Sequence, residues 1–144
     1  MRRTLTQALP LIALFSLLIR PSIAEVERVY RSVRALSDKE LQISVFGRVN
    51  TKDCKPLPLP GIRVISAPEH GSLTVRVVTL TTNQYPGCPA LRLPAQVLLY
   101  KSVLNYEGND QVSFAVTFEN GQMQMHQITI VVVKEGEPSK SEDL

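Results

Sequence analysis

Met123-Gln124-Met125-His126 puts two thioethers and an imidazole within four residues. Thioether and imidazole ligands together suit Cu(I), a soft ion. On a strand, the period of two places Met123 and Met125 on one face, roughly 6–7 Å apart, and turns His126 to the other. A three-ligand site then needs a bulge, or His70 from Pro68-Glu69-His70-Gly71, whose distance the sequence does not fix. A second cluster, Glu107, Asn109 and Asp110, offers oxygens to calcium, which takes 6–8 of them, but without EF-hand spacing. Each group also has a purely structural use. Methionine fills irregular gaps. Gly108 can take a φ closed to other residues while Asp110 accepts backbone N–H bonds at a corner. Gly71, Asn120 and Gly121 read as turn residues in the same way. The expectation is no cofactor, with copper or calcium as the alternative.

Other chemistry finds less to stand on. The chain holds no G-x-S-x-G, no H-E-x-x-H and no phosphate-cradling glycine loop. Its two cysteines, Cys54 and Cys88, are an even count, which in an exported chain implies one disulfide. A reactive thiol or a metal pair is the rival reading, but no second cysteine stands close to either. No catalytic residue is assigned, and the expectation is a protein that is not an enzyme.

Export is itself read from the first 24 residues. Arg2 and Arg3 precede an apolar run from Ala8 to Ile19, and Ser22-Ile23-Ala24 suits a cut before Glu25. As a membrane anchor, a run interrupted by Pro10 falls short of the roughly 20 residues a span needs. The expectation is therefore cleavage, a periplasmic or secreted location, and no membrane span afterwards. Loss of Arg2, Arg3 and Arg20 takes the basic count from 16 to 13, equal to the 13 acidic residues. The apparent basicity belongs to the signal, so nothing suggests nucleic acid as a partner.

The elements that must position these residues read as strands throughout. Alternation is loose over Val26–Val33, an edge strand or a mobile arm. It is clearer over Leu41–Val49, where Leu41, Ile43 and Val45 share a face before Phe46 and Gly47 break the pattern. Ile62–Ile65 is short. In Ser72–Leu80 the residues Leu73, Val75 and Val77 share a face. Gln96–Tyr100 follows, then Val112–Phe118, with Val112, Phe114, Val116 and Phe118 alternating. Asn120-Gly121 suits a tight hairpin into Met123–Val133, where His126, Ile128, Ile130 and Val132 form the inward face. Six of the ten prolines flank the cysteines, so the disulfide is expected to join two irregular loops at one side of the fold. Seven strands without a helical period argue for an all-β antiparallel sandwich over residues 25–134, with a small closed barrel as the alternative. Residues 135–144 read as a disordered polar tail.

Three stretches resemble one module of the bacterial immunoglobulin-like or cadherin-like tandem repeats of exported proteins. Pro68-Glu69-His70-Gly71-Ser72-Leu73 is similar to that group's P-x-x-G-x-hydrophobic turn. The run from Tyr106 to Phe114 is similar to its aromatic-x-G-x-D-x-hydrophobic-x-aromatic turn and strand, and Ile128–Val133 to its final strand. The resemblance implies an immunoglobulin-like sandwich with a structural or adhesive role, and relatives that bind calcium at module junctions. This chain departs from the group in its single copy, which has no junction, and in its disulfide between proline-rich loops. Two functions follow as expectations: an interaction module that binds a protein or envelope component by a sheet face or edge, or a periplasmic copper carrier using Met123, Met125 and a histidine. Oligomeric state is left open.

Overall fold

The computed structural model describes residues 26–136. The expected export signal over residues 1–24 and the polar tail beyond Gly136 lie outside the described residues. Within them the chain is all-β. Nine strands run in order: β1 (Glu27–Leu36), β2 (Glu40–Phe46), β3 (Val49–Asn50), β4 (Lys55–Pro56), β5 (Gly61–Ser66), β6 (Gly71–Thr82), β7 (Leu91–Ser102), β8 (Gly108–Thr117) and β9 (Met123–Val133). Seven of them are the strands expected from alternation. The expected strand Leu41–Val49 ends at Phe46, and the other two strands, β3 and β4, form a two-residue ladder that pairs Val49–Asn50 with the start of the first proline-rich loop.

The main strands form a four-stranded sheet, β1-β9-β8-β5, and a three-stranded sheet, β2-β7-β6. Pairing is antiparallel apart from β1, which runs parallel to β9 over ten residues, from Glu27 opposite Gln124 to Leu36 opposite Val133. The wholly antiparallel expectation is corrected there. Strands at opposite ends of a chain need no hairpin between them, so either direction is open to the pair.

One core cluster lies between the sheets, built on Ile43, Leu98, Tyr100, Val112, Phe114, Val116, Ile128, Ile130 and Val132. The alternating residues of β8 and β9 enter it in register, Val112 opposite Ile128 and Phe114 opposite His126. In β2 the expected shared face of Leu41, Ile43 and Val45 does not hold. A bulge between Gln42 and Ser44 flips the alternation, so Ile43 stays in the core, Val45 is 38% exposed opposite Val97, and Phe46 packs inward instead.

Strand β7 starts earlier than expected, before Pro94, and buries its two halves on opposite faces. Leu98 and Tyr100 join the main core, whereas Leu93, Ala95 and Val97 are buried with the other alternation while the register with β6 is unbroken. Around Leu93 and Ala95 this second face meets the β2–β3 connection and the β6–β7 loop. A Cβ on Gly47 would lie 3.0 Å from the Ala95 Cβ and 3.1 Å from Leu93 Cδ1. Tyr85 O–H donates to the Gly47 carbonyl at 3.1 Å. Cys54, in the turn between β3 and β4, bonds Cys88, in the loop between β6 and β7, with Cα atoms 5.7 Å apart. The disulfide therefore clasps a layer packed outside the three-stranded sheet. In the loop-entropy view, closing a loop of this length restrains the unfolded chain by about 3–4 kcal/mol.

Candidate functional site

Asp110 is 5% exposed and receives four hydrogen bonds. To Oδ1, the N–H groups of Glu69 and Gln111 donate, both at 2.9 Å. To Oδ2, the N–H of His70 donates at 3.0 Å and the Tyr100 hydroxyl at 2.9 Å. Residues from the β5–β6 loop, β7 and β8 thus converge on one carboxylate. An ionised carboxylate has about four acceptor sites, and these donors fill them. Burial is the largest influence on its ionisation and pushes its pKa upward. The four hydrogen bonds, led by that of Tyr100, outweigh burial together and hold it below the ordinary aspartate value. Burial, then the bond to Asp110, pushes the Tyr100 phenol well up, so it stays a protonated donor.

The calcium candidates are therefore dispersed in role. Asp110 is spent on backbone and phenol donors, Glu107 pairs with Lys134 at 3.3 Å, and the Asn109 carbonyl accepts from the Tyr106 hydroxyl at 2.7 Å. Beside them, the His70 ring stacks on Tyr106 with centroids 4.2 Å apart, and its buried Nδ1 has no hydrogen-bond partner among the described residues.

The methionines and histidines do not converge either. His126 lies on the inward face of β9, stacked on Phe114 at 4.9 Å and edge-on to Phe46 at 5.3 Å, with Nε2 3.1 Å from Gln124 Oε1. Burial, with the Arg31 cation adding to it and Glu27 opposing, lowers its pKa, so the ring is neutral at pH 7. Met123 and Met125 alternate with it and half-expose their side chains on the other face. His70 belongs to the Asp110 corner. No group of three or more His, Cys, Asp or Glu suited to a metal occurs among the described residues.

Of the expected turn glycines, Gly108 and Gly121 take φ of 138° and 80°. Asn120 accepts from the Gln122 N–H at 3.0 Å while Gly121 alone takes the positive φ, and Gly121 N–H returns to the Phe118 carbonyl at 2.9 Å. This is a turn closed by a left-handed glycine. Gly71 is not a turn residue. It opens β6, and a Cβ there would sit 2.5 Å from the Lys101 carbonyl oxygen and 2.8 Å from the Tyr100 ring, so glycine permits the close approach of β6 to β7.

The accessible chemistry lies on the surface. Strand β6 is an edge of its sheet, twelve residues long, with no backbone hydrogen bond on its free side among the described residues. Its expected apolar face divides. Leu73 packs on the core, whereas Val75 is 40% and Val77 63% exposed, because the four-stranded sheet does not extend over them. Arg76 is its one charged residue, and both its terminal nitrogens contact Glu40, at 3.0 and 3.2 Å. On β5, an edge strand of the other sheet, Val64 is 42% exposed.

Neither a protein-family model nor a curated protein matches the chain. Two solved structures similar to it are amebosin, in solution, and a 2,6-sialyltransferase of Vibrionaceae Photobacterium sp. JT-ISH-224, in a ternary complex with CMP and lactose. Amebosin has a TM-score of 0.40 and 10% identity over 76% of this chain and 99% of its own. The sialyltransferase has 0.36 and 8% over 78% of this chain and 19% of its own.

Proposed function

We propose that the protein is a non-enzymatic interaction module of immunoglobulin-like architecture that accepts an extended segment of a protein partner along β6, outside the cytoplasm. The strand order supports the architecture: β9-β8-β5 faces β2-β7-β6, and the first strand joins the sheet of the last. A disulfide with no free cysteine among the described residues suits an oxidising compartment.

The observation that carries the reading is the β6 edge. Proteins usually blunt such edges with charges, proline or short strands. Over twelve residues β6 has no proline, one charge already paired, and two exposed valines on one face. A strand added there gains main-chain hydrogen bonds, and alternate apolar side chains meet Val75 and Val77.

A photo-crosslinking residue at position 77, in the mature protein in its native envelope, tests this. A discrete protein adduct is expected at position 77 and not at Arg92, and Val75→Lys should abolish it. Equal labelling at both positions, or an adduct indifferent to Val75→Lys, would overturn strand addition.

A further inference from the structure

The outward face of the four-stranded sheet carries cations without carboxylates. Arg28 pairs with Met125, Met125 with Ala115, and Ala115 with Arg63, so these four side chains form one row across the sheet. Arg34 stands farther along β1, opposite Val131. All three arginines are exposed, and none makes an ion pair or a side-chain hydrogen bond among the described residues. Elsewhere Lys55, Arg76, Lys101 and Lys134 each meet a carboxylate. No outward position of β1, β9, β8 or β5 holds Asp or Glu, since Glu27 and Asp110 belong to the inward alternation. Glu69, from the loop after β5, borders this face where it lines a hollow with Ser66 and Thr129.

Beside the Arg28 row is a small hollow of about 120 Å³, lined by Arg28, Tyr30, Ser113, Met125, His126 and Gln127. It offers a guanidinium, two hydroxyls and an amide around an apolar thioether, and its size is that of one side chain. Arg28 and Arg63 stand three strand spacings apart, roughly 14 Å at the backbone. An extended peptide crossing the strands places residues i and i+4 about 13–14 Å apart. Guanidinium forks bind carboxylates in two-point fashion.

We propose that this face binds an extended acidic segment of a protein partner, with carboxylates four residues apart on Arg28 and Arg63 and one of them seated in the hollow. The site is separate from the β6 edge and does not depend on it. A protein segment fits better than an anionic membrane, whose recognition draws on clusters of about 4–8 cations. Here three are spread among serine, glutamine, tyrosine and methionine.

The test is fluorescence anisotropy of the mature protein with a labelled peptide repeating Glu-Ser-Gln-Ser. Saturable binding that weakens as salt rises from about 50 to 300 mM is expected. Arg28→Glu/Arg63→Glu should weaken it at least about tenfold with an unchanged melting temperature, and a Lys-for-Glu peptide should bind that variant. Arg92→Glu, on the other sheet, should leave binding as it was. No saturable binding, or equal binding by the double variant, would overturn the site. Tighter binding to vesicles of about 30% anionic lipid, or to a sulfated oligosaccharide, would overturn the protein partner in favour of that ligand.

Discussion

The Asp110 corner and the β6 flank are opposite extremes of hydrogen-bond satisfaction. At the corner, a charged side chain from β8 collects donors from two other segments until no acceptor site remains. Along the flank, a strand leaves its free backbone edge and two valines to solvent. The Asp110 carboxylate is consumed by the fold, whereas the free backbone groups of the flank are available. Of the titratable residues that look chemical in the sequence, Asp110 and His70 fall in the first region and His126 in the core beside Phe114, while the proposed partner site falls in the second. Substitutions should separate the regions sharply in stability.

Asp110→Ala should have the largest effect, about 3–5 kcal/mol, because it strands buried donors from β7 and the β5–β6 loop. Near this chain length that is a fall in melting temperature of more than about 10 °C. The pH dependence has a definite sign. The folded Asp110 carboxyl ionises at lower pH than the unfolded one, so its stabilisation is complete above about pH 4 and drains as pH falls through the folded value. His126 acts at higher pH. Its folded pKa lies below the ordinary value near 6.5, so the unfolded chain protonates first and stability declines as pH drops below about 6.5. Urea titrations from pH 7.5 to 3 should show both declines in the parent and the His126 decline alone in Asp110→Ala. An Asp110→Ala curve parallel to the parent's below about pH 4 would remove the carboxylate from this role.

Removing the clasp comes next. Cys54→Ser/Cys88→Ser should cost about 2–4 kcal/mol and loosen the loops over Leu93 and Ala95 before the main core opens. Hydrogen exchange should show faster exchange around Tyr85 and Gly47, with β8 and β9 still protected. Uniform loss of protection would mean that the second layer is not a separate unit.

The strands were legible because alternation and turn residues are local. What alternation cannot say is whether another layer covers the face it identifies. Leu73, Val75 and Val77 share a face as expected, but a second sheet covers only the first. The bulge in β2 is a pairing irregularity with no marker at Gln42 or Ile43, so alternation alone keeps Val45 on the face of Leu41 and Ile43. Pro94 hid the start of β7, since proline argues against a central strand. It is tolerated because β2 pairs with β7 only as far as Gln96, leaving Pro94 on a local edge. At the corner, Asp110 was readable as a backbone acceptor, but Tyr100 was not, because that contact bridges the two sheets. Charge was misleading in another way. The balance of 13 basic and 13 acidic residues over positions 25–144 conceals Arg28, Arg34 and Arg63 on one face, which only strand register reveals.

The smallest effect is expected on the flank, and its smallness is the informative part. Val75→Lys and Val77→Lys replace side chains already 40% and 63% exposed, so little buried apolar area is lost. Each should change stability by no more than about 0.5 kcal/mol, as ordinary surface substitutions do. Lysine lowers β propensity somewhat, but on an edge it also discourages pairing with another strand. Association should therefore respond while folding does not: partner adducts vanish and the melting temperature stays within about 2 °C of the parent. If the valines were instead covered by a layer beyond the described residues, each lysine would bury a charge and cost several kcal/mol. Thermal melts of the two variants distinguish a surface held open for a partner from one the chain already uses.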